Sequence, residues 1–404
     1  MRYLVCKKKV ADFLFRFVKL RKRKEVIMRK KYCKPVYILC AALLFSTPVF
    51  ADGPDLDDTE IVSSGPGMMI GSKEQEEAFS GNVSAETVPL LQGYGFSDYR
   101  VYGYNEMYDD LMALQKNYPS MHLDSLGKTI DGRELYHVIV GNPSAPKKIL
   151  VHGSIHSREY IVTKVVMREI ASLLEMEKKE SGYQGNSIKH LLQNTCIHFV
   201  PMLNPDGVSL VQNGLNGIGS EELRKSVLEM AQKEHATHLS SYFRLWKNNL
   251  RGVNLNKNFD VNWEQTVDKK GYPSKDEYKG SSAESEAESK ALADLQRKEN
   301  FSATISYHTQ GEVIYWYFGE GSYVEEAKKL AEIIKKNSNY RMVNSYRENY
   351  AGGFKDYMER KFNVPSVTVE CGSGTSPVSE EQIDKIWAGQ RGVLPDLLLE
   401  YKDS

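Results

Sequence analysis

Ile149-Leu150-Val151-His152-Gly153-Ser154-Ile155-His156-Ser157-Arg158-Glu159 sets the reading of the rest of the chain. Its apolar start, Ile149–His152, reads as a short buried strand. From Ser157 to Met176 the apolar residues Ile161, Val165, Val166, Ile170, Leu173 and Leu174 recur at helical spacing, which predicts a helix. The polar cluster between them stands where an open α/β sheet places its chemistry, at the end of a strand. His156 and Glu159 lie three residues apart, so their side chains can converge on one point. An imidazole and a carboxylate are suitable zinc ligands.

The same alternation continues on both sides. Met107, Leu111 and Leu114 form a helical stripe that stops before Pro119, and Glu134–Val140 reads as a strand. Cys196–Met202 reads as a strand stopped by the turn Asn204-Pro205-Asp206-Gly207, and Ala303–Tyr307 and Ser366–Glu370 as buried strands. Ser285-Glu286-Ala287-Glu288 reads as a capping box, and Ile383–Tyr401 as a last helix that Pro395 kinks or interrupts. Strands alternating with helices predict a single α/β domain, from about Phe96 to Ser404. Its sheet is mixed, mostly parallel and twisted, with helices on both faces.

Two further strand ends carry chemistry. His308 closes the strand from Ala303 and could supply a third ligand, leaving one tetrahedral position for water. Glu370 closes an apolar strand, where a carboxylate is costly unless paired or used. Singly, each has a plain structural explanation: a helix-start glutamate, a core histidine, a buried salt-bridge partner. Their combination is far less expected by chance.

The chain has 404 residues, with 53 Lys+Arg balanced by 53 Asp+Glu. That excludes a strongly basic nucleic-acid binder. The balance hides two unlike parts. Residues 1–51 hold 14 basic and 2 acidic residues, leaving 39 basic and 51 acidic residues, a net of −12, in 52–404. Met28-Arg29-Lys30-Lys31, the uncharged run 35–50 and Val49-Phe50-Ala51 describe a secretory signal with cleavage after Ala51. The alternative is an uncleaved anchor, for which the run is short. A secreted or cell-envelope protein without stable membrane insertion follows. Residues 52–95 read as an acidic linker or arm. Cys196 and Cys371 then remain, as two buried free thiols.

These motifs resemble the zinc metallocarboxypeptidases of the carboxypeptidase A type. The resemblance rests on 153–159, Asn204-Pro205-Asp206-Gly207, Gly252-Val253-Asn254-Leu255-Asn256, Ser306-Tyr307-His308 and Thr368-Val369-Glu370, in the family's order. It runs from about Tyr104 to the C-terminal helix. Tyr307–Trp316, Gly352-Gly353-Phe354-Lys355-Asp356 and Glu370–Pro377 look closest to the bacterial γ-D-glutamyl-diamino-acid peptidases, which trim peptidoglycan stems.

The resemblance implies one zinc per chain on His156, Glu159 and His308, with Glu370 as general base and acid. It implies an oxyanion cation at Lys247 or Arg251, and substrate contacts from Arg158, Asn256, Lys257, Lys355 and a mobile tyrosine, Tyr350 or Tyr346. Lys257 replaces an arginine that grips a terminal carboxylate. Asn254 replaces an aspartate that orients the first zinc histidine. Lys355, at the pocket-floor position, would suit a carboxylate-bearing side chain such as that of diaminopimelic acid.

The function expected is a secreted, monomeric zinc peptidase acting on the γ-D-glutamyl–diamino acid amide. One alternative is a conventional carboxypeptidase for acidic C-termini. Another is a non-catalytic wall-binding protein on the same scaffold.

Overall fold

The computed structural model describes residues 93–98, 100–344 and 352–402. The proposed signal, almost all of the arm, and Tyr346 and Tyr350 lie outside them.

Eight strands form the sheet: β1 (His122–Lys128), β2 (Glu134–Val140), β3 (Lys147–Gly153), β4 (Thr195–Val200), β5 (Ala303–His308), β6 (Val313–Tyr315), β7 (Arg341–Val343) and β8 (Ser366–Glu370). Their spatial order is β1-β2-β4-β3-β5-β8-β6-β7. The four central strands, β4, β3, β5 and β8, are mutually parallel, with β2 and β6 joined antiparallel on either side. The predicted mixed, mostly parallel sheet is the one found. The central strands β4, β5 and β8 are buried throughout, and β3 from Ile149 onward, as strands covered on both faces are.

The side-chain period of two splits β3 between two cores. Ile149 and Val151 join a core with α1 (Tyr104–Asn117), α2 (Ile161–Lys178), α5 (Val324–Ser338), α7 (Ile383–Gln390) and α8 (Val393–Glu400). Leu150 faces the other way, against Leu292 of α4 (Ala287–Glu299) and Phe354 of α6 (Phe354–Phe362). Asn204 caps α3 (Pro205–Asn213), its side-chain oxygen accepting from Gly207 N at 3.0 Å. The turn motif is therefore a helix start.

Three local expectations change. The helix expected from Ser157 begins at Ile161, after a 3-10 turn over Ser157–Glu159. The capping box does not form. Glu286 takes the N-cap position, its N–H donates to Asn258 Oδ1 at 3.2 Å, and Glu288 Oε1 has no hydrogen-bond partner among the described residues. The last helix is broken at Arg391-Gly392, and Pro395 lies in the first turn of α8, where its missing N–H would have no intrahelical partner anyway. Cys196 and Cys371 are buried free thiols, as expected. Among the described residues no helix is long and apolar enough to cross a membrane.

Away from the β3 cluster, His137 Nε2 lies 2.9 Å from His198 Nδ1, both rings buried. Burial pushes His137 down to about 4 and His198 to about 3. Both are neutral in the fold and charged when unfolded below about pH 6.5, so the unfolded state binds more protons and stability falls as pH drops through that range. Glu169 and Glu288, each raised by burial to about 8, act with the opposite sign. The histidine effect is thus read as a difference. Between pH 7 and 5, urea unfolding of His198→Gln should lose less stability than the native chain, by up to about 1.4 kcal/mol per pH unit. Equal slopes would show that His198 does not titrate on unfolding.

Candidate active site

Parallel register brings the three strand ends together. Gly153 pairs with Tyr307, and Glu370 with His308. Beyond Gly153 the chain leaves β3 through Ser154, at φ 52°, and is tied down on every side. Leu203 N and Asn204 N donate to the Gly153 and Ser154 carbonyls at 3.0 Å each, and Asn204 Nδ2 donates to Ile155 O at 3.2 Å. Ser157 Oγ donates to Asn248 O at 2.7 Å. The loop that presents His156 is therefore fixed by hydrogen bonds with two segments, at Leu203-Asn204 and at Asn248.

The 3-10 turn matters to the geometry. At three residues per turn, positions i and i+3 stand directly over one another. His156 Nδ1 lies 2.9 Å from Glu159 Oε1, and His308 Nδ1 lies 3.0 Å from Glu159 Oε2. All three side chains are buried, and their donor atoms lie within 4.8 Å of one another. This is the one such His/Cys/Asp/Glu group among the described residues.

Asn254 settles the tautomer of His156. Its Oδ1 accepts the Asn256 backbone N–H at 3.0 Å, so the atom 3.1 Å from His156 Nε2 is an acceptor and Nε2 carries the proton. His156 Nδ1 then turns a lone pair toward a carboxylate oxygen. Burial also pushes His156 down to about 4, against the pull of Glu159, so the ring is neutral. Two facing acceptors with no proton between them call for a cation. The N,O donor set is one that zinc accepts.

Glu370 is 2 % exposed, and its Oε2 has no hydrogen-bond partner among the described residues. Burial and the charge of Glu159 push it well above the usual carboxylate range, opposed by Lys247 and Arg158. A metal cation beside it would act with Lys247, against Glu159.

The structure separates the two oxyanion candidates. Lys247 is 3 % exposed, and its charge acts on His156 and Glu370. Arg251 has a half-exposed side chain, with Nε 3.4 Å from Glu286 Oε2, in a different cleft of about 330 Å³ lined also by Lys128, Thr129 and Glu288. Arg158 is buried, donates to Leu245 O at 3.3 Å, and is close enough for its charge to act on Glu370. Asn256 Oδ1 accepts from Phe354 N at 3.1 Å and so fixes the start of α6.

The expected free cations turn out to be matched. Lys257 Nζ donates to Glu277 Oε2 at 2.8 Å, and Lys355 Nζ lies 2.6 Å from Asp356 Oδ1 and 2.9 Å from Glu359 Oε2. Lys355 thus has two acidic partners of its own. In a buried pocket an unmatched ammonium is costly, and two neighbouring acids remove that cost. Glu277 is the residue that sequence reasoning passed over. It stands in an aperiodic loop, and nothing in its spacing connects it to a site.

The zinc carboxypeptidase family profile, peptidase M14, matches residues 107–391. The chain is 32 % identical over 293 residues to γ-D-glutamyl-L-diamino acid endopeptidase 1 of Lysinibacillus sphaericus, covering 72 % of this chain and 71 % of that protein. It is 31 % identical over 298 residues to the uncharacterized protein YqgT of Bacillus subtilis, covering 72 % and 76 %. Among solved structures it resembles bovine thrombin-activatable fibrinolysis inhibitor, at TM-score 0.59 and 18 % identity over 76 % of this chain and 98 % of the other. Carboxypeptidase A of Helicoverpa armigera gives TM-score 0.56 at 18 % identity, over 81 % of each chain. At those identities the structures speak for the fold.

Asn254→Ala should weaken zinc binding by about 10- to 100-fold, because the His156 tautomer loses its acceptor, while Asn254→Asp should strengthen it. Competition with a chelator of known affinity measures both. An unchanged affinity in Asn254→Ala would remove Asn254 from that role.

Proposed function

The chain belongs to the M14 zinc carboxypeptidase family, and from that premise we propose that it is a secreted peptidase cleaving the γ-D-glutamyl–diamino acid amide of peptidoglycan stem peptides. The observation that carries the reading is its similarity, over most of the catalytic region, to a peptidase named for that bond. The basic start, apolar run and small-x-Ala stop of residues 28–51 support export, which is where such a substrate lies. The bonds around Lys257 weigh against a conventional carboxypeptidase, since the cation that would hold a free terminal carboxylate already holds Glu277.

His156, Glu159 and His308 would hold zinc. Bound there, zinc supplies Lewis acidity toward the scissile carbonyl and lowers the pKa of a water. Glu370, dry and close to the donor trio, takes the proton from the attacking water and returns it to the leaving amine. Lys247 places a buried positive charge where the oxyanion develops. A charge fixed in a water-poor site acts there more strongly than it would in solvent. Asn254 holds His156 in its ligating tautomer. Arg158 and Asn256 contact the substrate, and Tyr350, the capping tyrosine that the resemblance offers, lies outside the described residues.

Incubation with a synthetic stem tripeptide and zinc should release the diamino acid, detected by mass spectrometry. Removal of zinc by chelation should stop release, and added zinc should restore it. Trimming of ordinary protein C-termini with no tripeptide cleavage would overturn the reading. Glu370→Gln should cost about 10²- to 10⁴-fold in kcat with zinc retained. Lys247→Met should cost about 10²- to 10³-fold, while Arg251→Met stays near native. Near-native kcat in Lys247→Met would reassign the oxyanion cation.

A further inference from the structure

Glu277 is an acid set against Lys257, a residue that the family resemblance places at the substrate. Its Oε2 accepts from Lys257 Nζ at 2.8 Å, and Lys269 Nζ lies 3.8 Å away. Its charge and that of Glu370 both act on Arg158, so it belongs to the same cluster as the proposed base. Lys247 and Lys257 outweigh the effect of burial and hold its carboxylate down at about 2, so it is ionised. The loop that carries it is pinned to the segment bearing Lys247 and Asn254. Lys247 N and Asn248 N donate to Lys275 O at 2.9 and 3.0 Å, and Asn254 N donates to Tyr278 O at 2.7 Å. Glu277 itself is held at φ 66°, a left-handed conformation that is costly for a side-chain-bearing residue and persists only where the surroundings impose it.

We infer that the Lys257–Glu277 ion pair reads the leaving residue as a zwitterion, Lys257 taking a carboxylate and Glu277 the ammonium of a diamino acid. This rests on the proposed γ-D-glutamyl–diamino acid activity and assigns its specificity to a residue.

The physical argument is charge balance. An ammonium and a carboxylate brought in together exchange one internal pair for two external pairs, and no buried charge is left alone. A carboxylate brought in without an ammonium draws Lys257 away from Glu277, which then keeps only the longer contacts of Lys269 and Lys247, and adds negative charge beside Glu277 and Glu370. Breaking a buried pair so that one charge is stranded is strongly unfavourable. Discrimination then comes from the acid that rejects the wrong ligand as much as from the base that holds the right one. Lys355 is likewise matched, by Asp356 and Glu359.

The test compares two synthetic tripeptides, L-Ala-γ-D-Glu-diaminopimelate and L-Ala-γ-D-Glu-2-aminopimelate. They have the same length and the same carboxylates and differ in the distal ammonium. The native enzyme should favour the diaminopimelate peptide by at least about tenfold in kcat/KM, the effect of one charge-assisted contact. Glu277→Gln should bring that ratio close to one, through loss on the diaminopimelate peptide and gain on the aminopimelate peptide. Glu277→Asp, which keeps the charge, should retain the preference and guards against a folding defect in the amide variant. Equal cleavage of both peptides by the native enzyme, or an undiminished preference in Glu277→Gln with native zinc content, would overturn the inference alone. Cleavage of neither peptide would overturn the underlying activity together with it.

Discussion

Parallel register between β3, β5 and β8 is the constraint on which the site depends. His308 and Glu370 are paired across the sheet, and Gly153, three residues before His156, is paired with Tyr307. Residues more than 200 positions apart in sequence thus meet at one edge because three strands end at the same level. Parallel strands cannot be joined by a tight turn, so long connections are obligatory. Those connections carry the rest of the site: Asn204 ties the His156 loop, Lys247 and Asn254 arrive from a loop, and α4 leads back into β5.

Desolvation governs the electrostatics once the groups have met. His156, Glu159, His308 and Glu370 are each at most 4 % exposed, so every charge must be matched or suppressed. His156 is kept neutral by burial, which leaves a lone pair for a cation. Glu159 lies between two imidazoles, and Glu370 is buried with one oxygen lacking a hydrogen-bond partner among the described residues. The arrangement is incomplete without a positive charge, and the same dryness gives Lys247 its strength.

The cations around the site obey the same rule. Residues 52–404 carry a net charge of −12, and Lys247, Arg251, Lys257 and Lys355 are the cations that the resemblance offers to the oxyanion or the substrate. The fold instead gives Arg251 to Glu286, Lys257 to Glu277, and Lys355 to Asp356 and Glu359. The charges around buried Lys257 are therefore of both signs.

The sequence by itself determined the central strands, because Ile149–His152, Ala303–Tyr307 and Ser366–Glu370 are apolar runs bounded by polar clusters, and burial on both faces leaves that mark. It determined the chemistry-bearing residue types at the strand ends for the same reason, since a histidine or glutamate closing an apolar run is conspicuous. It carried the edge strands β1 and β7 poorly, since each is only partly buried and shows no clean alternation. Boundaries set by hydrogen bonding, such as the 3-10 turn at Ser157 and the failed cap at Ser285, were beyond it because they depend on partners far along the chain. Which charge meets which was decided only by the tertiary structure. Lys257 and Glu277 are 20 residues apart with no period linking them, and only folding brings them to 2.8 Å. Hydrophobic pattern is local and can be read along the chain; ion pairing acts across space and is fixed once the chain has folded.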